Sequence, residues 1–171
     1  TMNNMNAHKG CFTPWDFIGY SRSYNSIKYG NVLKSKERYV CNNHTVARYS
    51  SVGAFVIVCD GENPRMLVMN GSPISSMAVP VYVKAKREIP KCVSGTAMRN
   101  LSREFKAKAY NTIADGVHIL NKEFVSKVLK IKQPKIDMPK RMPSDIRAFN
   151  ADIDKAFAKH EKRVRKVLSK F

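Results

Sequence analysis

The run Val52-Gly53-Ala54-Phe55-Val56-Ile57-Val58-Cys59 is the most strand-like stretch of the chain. Apolar side chains fall on both of its alternating faces, the pattern of a strand covered from two sides in a layered sheet. That reading places Phe55 and Ile57 in the core and makes Cys59 a small buried hydrophobe. Asp60-Gly61-Glu62-Asn63-Pro64 is turn chemistry, and Met66-Leu67-Val68-Met69 returns as the second strand of an antiparallel hairpin. Gly71-Ser72-Pro73 breaks the chain again. Residues 77–84 read as a third strand, in which Pro80 has no N–H to donate and so demands an edge position or a bulge.

Outward from this hairpin the pattern changes on both sides. Before it, Thr13-Pro14-Trp15-Asp16 has the form of a helix start, with Thr13 as N-cap and Pro14 at the first helical position, and a short helix is expected near 14–25. Trp15, Phe17, Ile18, Tyr20, Tyr24 and Tyr29 supply apolar surface that serves packing more readily than stacking on bases. After Pro90 the spacing is helical. Met98, Leu101, Phe105 and Tyr110 mark a helix over 95–110. Phe124, Val125, Val128 and Leu129 mark another over 121–130, with Asn121 as N-cap. Pro134, Pro139 and Pro143 forbid regular structure across 132–143. A last amphipathic helix of about 27 residues opens at Ser144. Its apolar side carries Ile146, Phe149, Ile153, Phe157, Val164, Leu168 and Phe171, with His160 packed among them, and its other face is rich in Lys and Arg. The fold class is therefore α+β: antiparallel strands in 52–84, then helices and a long basic terminal helix. The chain is one domain or part-domain, with an aromatic segment over 1–50, a sheet region over 51–90 and a basic helical region over 91–171.

The chain has 171 residues, 31 Lys plus Arg and 13 Asp plus Glu, a net charge of +18. Residues 91–171 hold 20 basic and 8 acidic residues, so two thirds of the excess lies there. Such a surplus attracts polyanions weakly, and a solvated basic surface accounts for it equally well. With 43% apolar residues the chain can line a core. No apolar run approaches the roughly 18 residues of a membrane helix, and no cationic-then-apolar signal peptide opens the sequence. The polar start Thr1-Met2-Asn3-Asn4-Met5-Asn6 reads as the edge of a processed or truncated chain. Cys11, Cys41, Cys59 and Cys92 contain no C-x-x-C pair and have no His at finger spacing, which argues against structural zinc; a Cys11–Cys41 disulfide stays open. P-loop, dinucleotide, metalloprotease and nucleophile-elbow motifs are all missing from the sequence, and no cofactor is expected.

One polar segment stands out. Asn42-Asn43-His44-Thr45-Val46-Ala47-Arg48-Tyr49-Ser50-Ser51 leads directly into the apolar strand. A guanidinium at the mouth of a buried strand requires either a structural carboxylate or a ligand of negative character.

The segment Ala47-Arg48-Tyr49-Ser50-Ser51 through Phe55-Val56-Ile57-Val58 resembles the Arg-Thr-Ser-Thr-Ser strand lead of bacterial N-terminal-nucleophile hydrolases of the linear-amide type, the relatives of penicillin V acylase, bile-salt hydrolase and acyltransferases. Gly61-Glu62-Asn63-Pro64 and the run from Gly71-Ser72-Pro73 to Ala78-Val79-Pro80-Val81-Tyr82-Val83 are similar to that group's Gly-Glu-Asn-Pro … Gly-x-Pro-x-x-Ser-x-Ala-Val-Pro-Val-x-Val. Leu120-Asn121-Lys122-Glu123 and the basic last helix match its C-terminal layout. The resemblance implies the C-terminal half of a four-layer αββα sandwich. It implies a nucleophile, usually Cys, at the exposed N-terminus of a segment or partner chain outside the matched part, with its own α-amine as base. Thr1 and Cys11 fit that role poorly: Thr1 is not followed by the buried strand it needs, and Cys11 is internal and sits beside Gly10. By the same resemblance Arg48 lies at the catalytic centre and Asn3 takes the place of the group's upstream Asn. The expected function is that of a linear-amide hydrolase or acyltransferase subunit acting on a small amide; the alternative is a basic module for nucleic acid or another polyanion.

Overall fold

The computed structural model describes residues 13–22, 50–59, 61–112, 118–134 and 136–171, together with the backbone of three short strands at 25–26, 30–31 and 40–41. Arg48, Asn3 and the Cys11–Cys41 pair lie outside the residues whose side chains are described. The chain is α+β, as the change of spacing after Pro90 predicts. Its elements are helix α1 (Pro14–Ser21), strands β1 (Asn25–Ser26), β2 (Gly30–Asn31), β3 (Val40–Cys41), β4 (Gly53–Val58), β5 (Arg65–Asn70) and β6 (Val79–Tyr82), a 3-10 turn at Val83–Ala85, helices α2 (Lys91–Ser94) and α3 (Ala97–Ala109), strands β7 (Tyr110–Thr112) and β8 (His118–Leu120), and helices α4 (Lys122–Leu129) and α5 (Ile146–Leu168).

The hairpin predicted from the sequence forms β4 and β5, and β6 adds on the far side of β5, giving an antiparallel sheet in the order β4-β5-β6. Pro80 sits opposite Leu67 on β6, which among the described residues pairs with β5 alone, the edge position that a residue without an N–H tolerates. A second antiparallel sheet, β3-β8-β7, and the two-residue ladder β1-β2 carry no counterpart in the sequence reading.

The helices follow their caps. Asp16 Oδ2 accepts from the backbone N and Oγ1 of Thr13, both at 2.7 Å, which fixes the start of α1. Asn121 Oδ1 accepts from Phe124 N at 3.1 Å and Asp145 Oδ1 from Ala148 N at 2.9 Å, opening α4 and α5. The last helix thus begins two residues after Ser144 and runs for 23 residues. Short α2 is capped from a distance: Asp154 on α5 accepts from the backbone N of Lys91 and Cys92.

The main core lies where α3, α4 and α5 close on one face of the sheet. Met98, Leu101, Phe105, Phe124, Ile153 and Val164 are buried there beside Val79. Phe105 stacks on Phe124 at 5.5 Å between centroids. A smaller core on the opposite face joins Ile18 of α1 to Leu67, Met69 and Ala78. The basic face of α5 points to solvent: Lys155, Lys159, Lys162, Arg163, Lys166 and Lys170 are exposed.

The strand that decides the fold is not covered on both faces. Phe55 is 69% exposed and Ile57 55%, and Cys59 is exposed as well. Register explains this correction. Phe55 pairs with Val68, which pairs with Val79, so the three form one row across the sheet. Val79 is buried under the helices, Val68 half-buried, and Phe55 open. Helical cover is centred on β6 and fades toward β4. Phe105→Ala should therefore cost about 3–5 kcal/mol, whereas Phe55→Ala in the isolated chain should stay under about 1 kcal/mol. Urea denaturation of both variants checks the contrast.

A candidate functional site at a buried turn and a cationic cleft

Every residue from Gly71 to Pro80 is buried. The segment is a turn rather than a strand as far as Ala78, so its backbone groups lack a ladder there; Gly71 N bonds to Val52 O and the N–H groups of Ser75 and Ser76 to Ser72 O, and side chains supply further bonds. Arg22, just past α1, donates through Nε and Nη2 to the carbonyls of Pro73 and Ile74, both at 3.1 Å. Ser102 of α3 accepts from Ser72 N. Gln133 donates to Ser76 O at 2.8 Å and accepts from Ala78 N at 3.3 Å. His160 of α5 lies 2.9 Å from Ser75 O through Nε2, which makes Nε2 the protonated nitrogen. His160 is thus a packed core histidine, as its place on the apolar side of α5 predicts. Burial holds its pKa below the usual value, and Arg22 and Arg163 add to that push.

Arg22 and Gln133 also line a cleft of about 1220 Å³ between α1, the β4–β5 end of the sheet and the segment 129–140. Trp15, Ile18, Val58, Ile131 and Met138 give it apolar walls. Its cationic groups, Arg22, Arg65, Lys130, Lys132 and Lys140, outnumber Asp16 and Asp137. Asp16 is tied to the α1 cap. Arg65 is only 5% exposed and donates through Nη1 to Asn63 O at 3.5 Å. It stands opposite Tyr82 in the ladder; burial raises the Tyr82 pKa and the guanidinium partly offsets that. A smaller cationic hollow of about 200 Å³ lies beside Gly71, with Arg99, Arg103 and Lys106 around it.

Among the described residues no three His, Cys, Asp or Glu side chains gather as metal ligands. Cys92 is a poor nucleophile: burial and the Asp154 carboxylate hold its thiol protonated, with the pKa pushed far up. Of the site residues expected from sequence, Arg48 and Asn3 fall outside the described residues, so neither is placed in the cleft. Arg65 is the residue that reasoning from sequence missed. It shares a face with Leu67 and Met69 at alternate positions of β5, and an arginine in phase with an apolar face is a readable signal. Comparison with known proteins adds nothing here: no family model, no curated protein and no solved structure matches the chain.

Two outcomes follow from the turn. Gly71 has φ +126°, and a Cβ there would lie 2.6 Å from Ser102 Cβ and 2.8 Å from Ser76 Oγ. Gly71→Ala should lower stability by more than about 2 kcal/mol, against about 1 kcal/mol for Gly61→Ala, where φ is +72° and space is open. Thermal melts of the pair separate steric conflict from backbone strain. Neutral His160 contributes stability above its unfolded pKa, near 6.5. That contribution is lost as pH falls toward the depressed folded value, with a slope of at most about 1.4 kcal/mol per pH unit. Urea midpoints at pH 7.5 and 5.5 should differ in the native protein and differ less in His160→Gln.

Proposed function

We propose that this chain is the part of a linear-amide hydrolase or acyltransferase that lacks the nucleophile, completed by a partner chain or N-terminal segment that begins with the reactive Cys. The single observation that carries the reading is the open side of the main sheet. Among the described residues β4 pairs with β5 alone, and Val52, Phe55 and Ile57 leave 78%, 69% and 55% of their surface to water. A free strand edge beside an apolar face is a template for further β-structure, and an αββα sandwich continues at such a place. Supporting it, the stretch that resembles the amide hydrolases covers β5, the buried turn and β6.

In this reading the nucleophile's α-amine takes the thiol proton, the thiolate attacks the amide carbonyl, the C–N bond breaks as the amine leaves with that proton, and the resulting thioester acyl-enzyme passes its acyl group to water or another acceptor, which frees the thiol. Arg48, five residues before β4 in the sequence, would offer a planar fork to a substrate carboxylate or to the developing oxyanion, and Asn3 would add an amide donor to the oxyanion. Purification from the native source should bring down a second polypeptide with an N-terminal Cys, and the complex should cleave a linear amide that the isolated chain leaves intact. Arg48→Lys should keep the melting temperature of the complex and lose most of the activity. Phe55→Asp should prevent assembly without unfolding the isolated chain. Amide hydrolysis by this chain alone, or full activity in Arg48→Ala, contradicts the assignment.

The solvent-facing lysines and arginines of α5 favour a second reading, a polyanion-binding module. Lys127, Arg163, Lys166 and Lys170 border one shallow hollow on that side. Binding to duplex DNA should be weak, with log K falling by about 0.9 per phosphate contact as log salt rises. Loss of binding at physiological salt is the expected result; a selective complex that survives there makes this second reading the function.

A further inference from the structure

We propose that the isolated chain pairs with a second copy of itself through the free edge of β4, the two strands running antiparallel about a two-fold axis at Val56. The proposal goes beyond amide hydrolysis, because it concerns the chain without a nucleophile-bearing partner; that partner and the second copy compete for one edge. The bond pattern shows which groups are on offer. Val52 O accepts from Gly71 N, so Val52, Ala54, Val56 and Val58 turn their backbone groups toward β5. Gly53, Phe55 and Ile57 turn theirs outward, and among the described residues no strand receives them. Residues 51–59 contain no charge and no Pro, the devices that ordinarily blunt an edge.

A second copy meets this edge by symmetry. An antiparallel pair centred on Val56 sets Phe55 opposite Ile57 of the second copy, twice, on one face. Both copies then show the same face, and the two sheets become one of six strands around a shared apolar strip. The charges favour the same orientation. One end of β4 lies beside Arg99 and Arg103 of α3, both exposed, which line a hollow with Val52 and Gly71. The other end runs into the turn that holds exposed Glu62. Antiparallel pairing brings the Glu62 turn of each copy toward Arg99 and Arg103 of the other, whereas parallel pairing sets arginines against arginines. The contact closes at two copies, because it consumes the edge it uses. The net charge of +18 on each chain opposes the approach and keeps the dimer weak.

Sedimentation velocity of the chain from about 1 to about 300 μM, with thiols kept reduced, should show a reversible monomer–dimer equilibrium with Kd on the order of 10–100 μM. Phe55→Asp and Ile57→Lys should each leave the chain monomeric throughout, with the melting temperature of the dilute chain unchanged. Glu62→Arg should weaken the dimer about tenfold. Arg99→Glu with Arg103→Glu should weaken it as much, although these changes lower the net charge and with it the general repulsion. Glu62→Arg combined with Arg99→Glu and Arg103→Glu should recover most of the affinity, the sign of direct pairing. A monomer at every concentration, a polymer that grows without limit, a dimer that survives Phe55→Asp, or charge reversals that act only through net charge overturn the proposal. A monomeric chain that copurifies with a polypeptide beginning with Cys overturns the dimer and leaves the amide-hydrolase reading standing; a dimer with no such companion does the reverse.

Discussion

Ten consecutive buried residues, of which the first eight, Gly71–Ala78, have no strand ladder, impose the constraint around which this molecule is built. Each buried amide or carbonyl of the Gly71–Pro80 turn left without a partner would cost about 1–3 kcal/mol. The partners come from Arg22, Ser102, Gln133 and His160, side chains that belong to four different parts of the chain. The turn therefore fixes where α1, α3, the 129–140 segment and α5 lie relative to the sheet. Gly71 permits it locally, because only a residue without Cβ fits beside Ser102 and Ser76. The cleft is tied to the same arrangement, since Arg22 and Gln133 both bond to the turn and line the cleft.

Much of the secondary structure was legible because it rests on local chemistry. The hairpin, the edge position of Pro80, the Asn121 cap and the amphipathic spacing of α5 are all decided within a few residues. The sheet β3-β8-β7 was not, because two- and three-residue strands such as Val40–Cys41 and Tyr110–Thr112 show no periodicity to read. The burial of Phe55 and Ile57 was misjudged for a different reason. Apolar residues on both faces state that a strand can be covered twice, but coverage depends on how far the helices reach across the sheet, and here it thins from β6 across β5 and leaves Phe55 and Ile57 of β4 open. The cleft was illegible for the same reason of distance: Trp15, Arg65 and Met138 meet only through tertiary structure. Arg48 attracted notice by standing just outside an apolar strand; Arg65 stands inside one, and its phase on β5 marks it.

Among the described residues, the cations of α5 and those around the cleft are physically distinct. On α5 the cations are solvated and partly paired with Glu104 and Glu161 across short surface contacts, where each pair is worth little. Around the cleft, by contrast, charge is set against apolar walls and one guanidinium is withdrawn from water. Net charge alone does not distinguish these situations; burial does.

The bonds that satisfy the buried turn span 30 residues to Ser102, 52 to Arg22, 57 to Gln133 and 85 to His160. Three of the four partners follow the turn in the chain, and the farthest lies in the last helix. During synthesis from the N-terminus the turn emerges long before the groups that complete it. The hairpin and α1 can form early, but the segment between them and the helices stays unsatisfied until α5 is made, so locking of the native structure is a late, long-range event and the growing chain must be kept from associating in the interval.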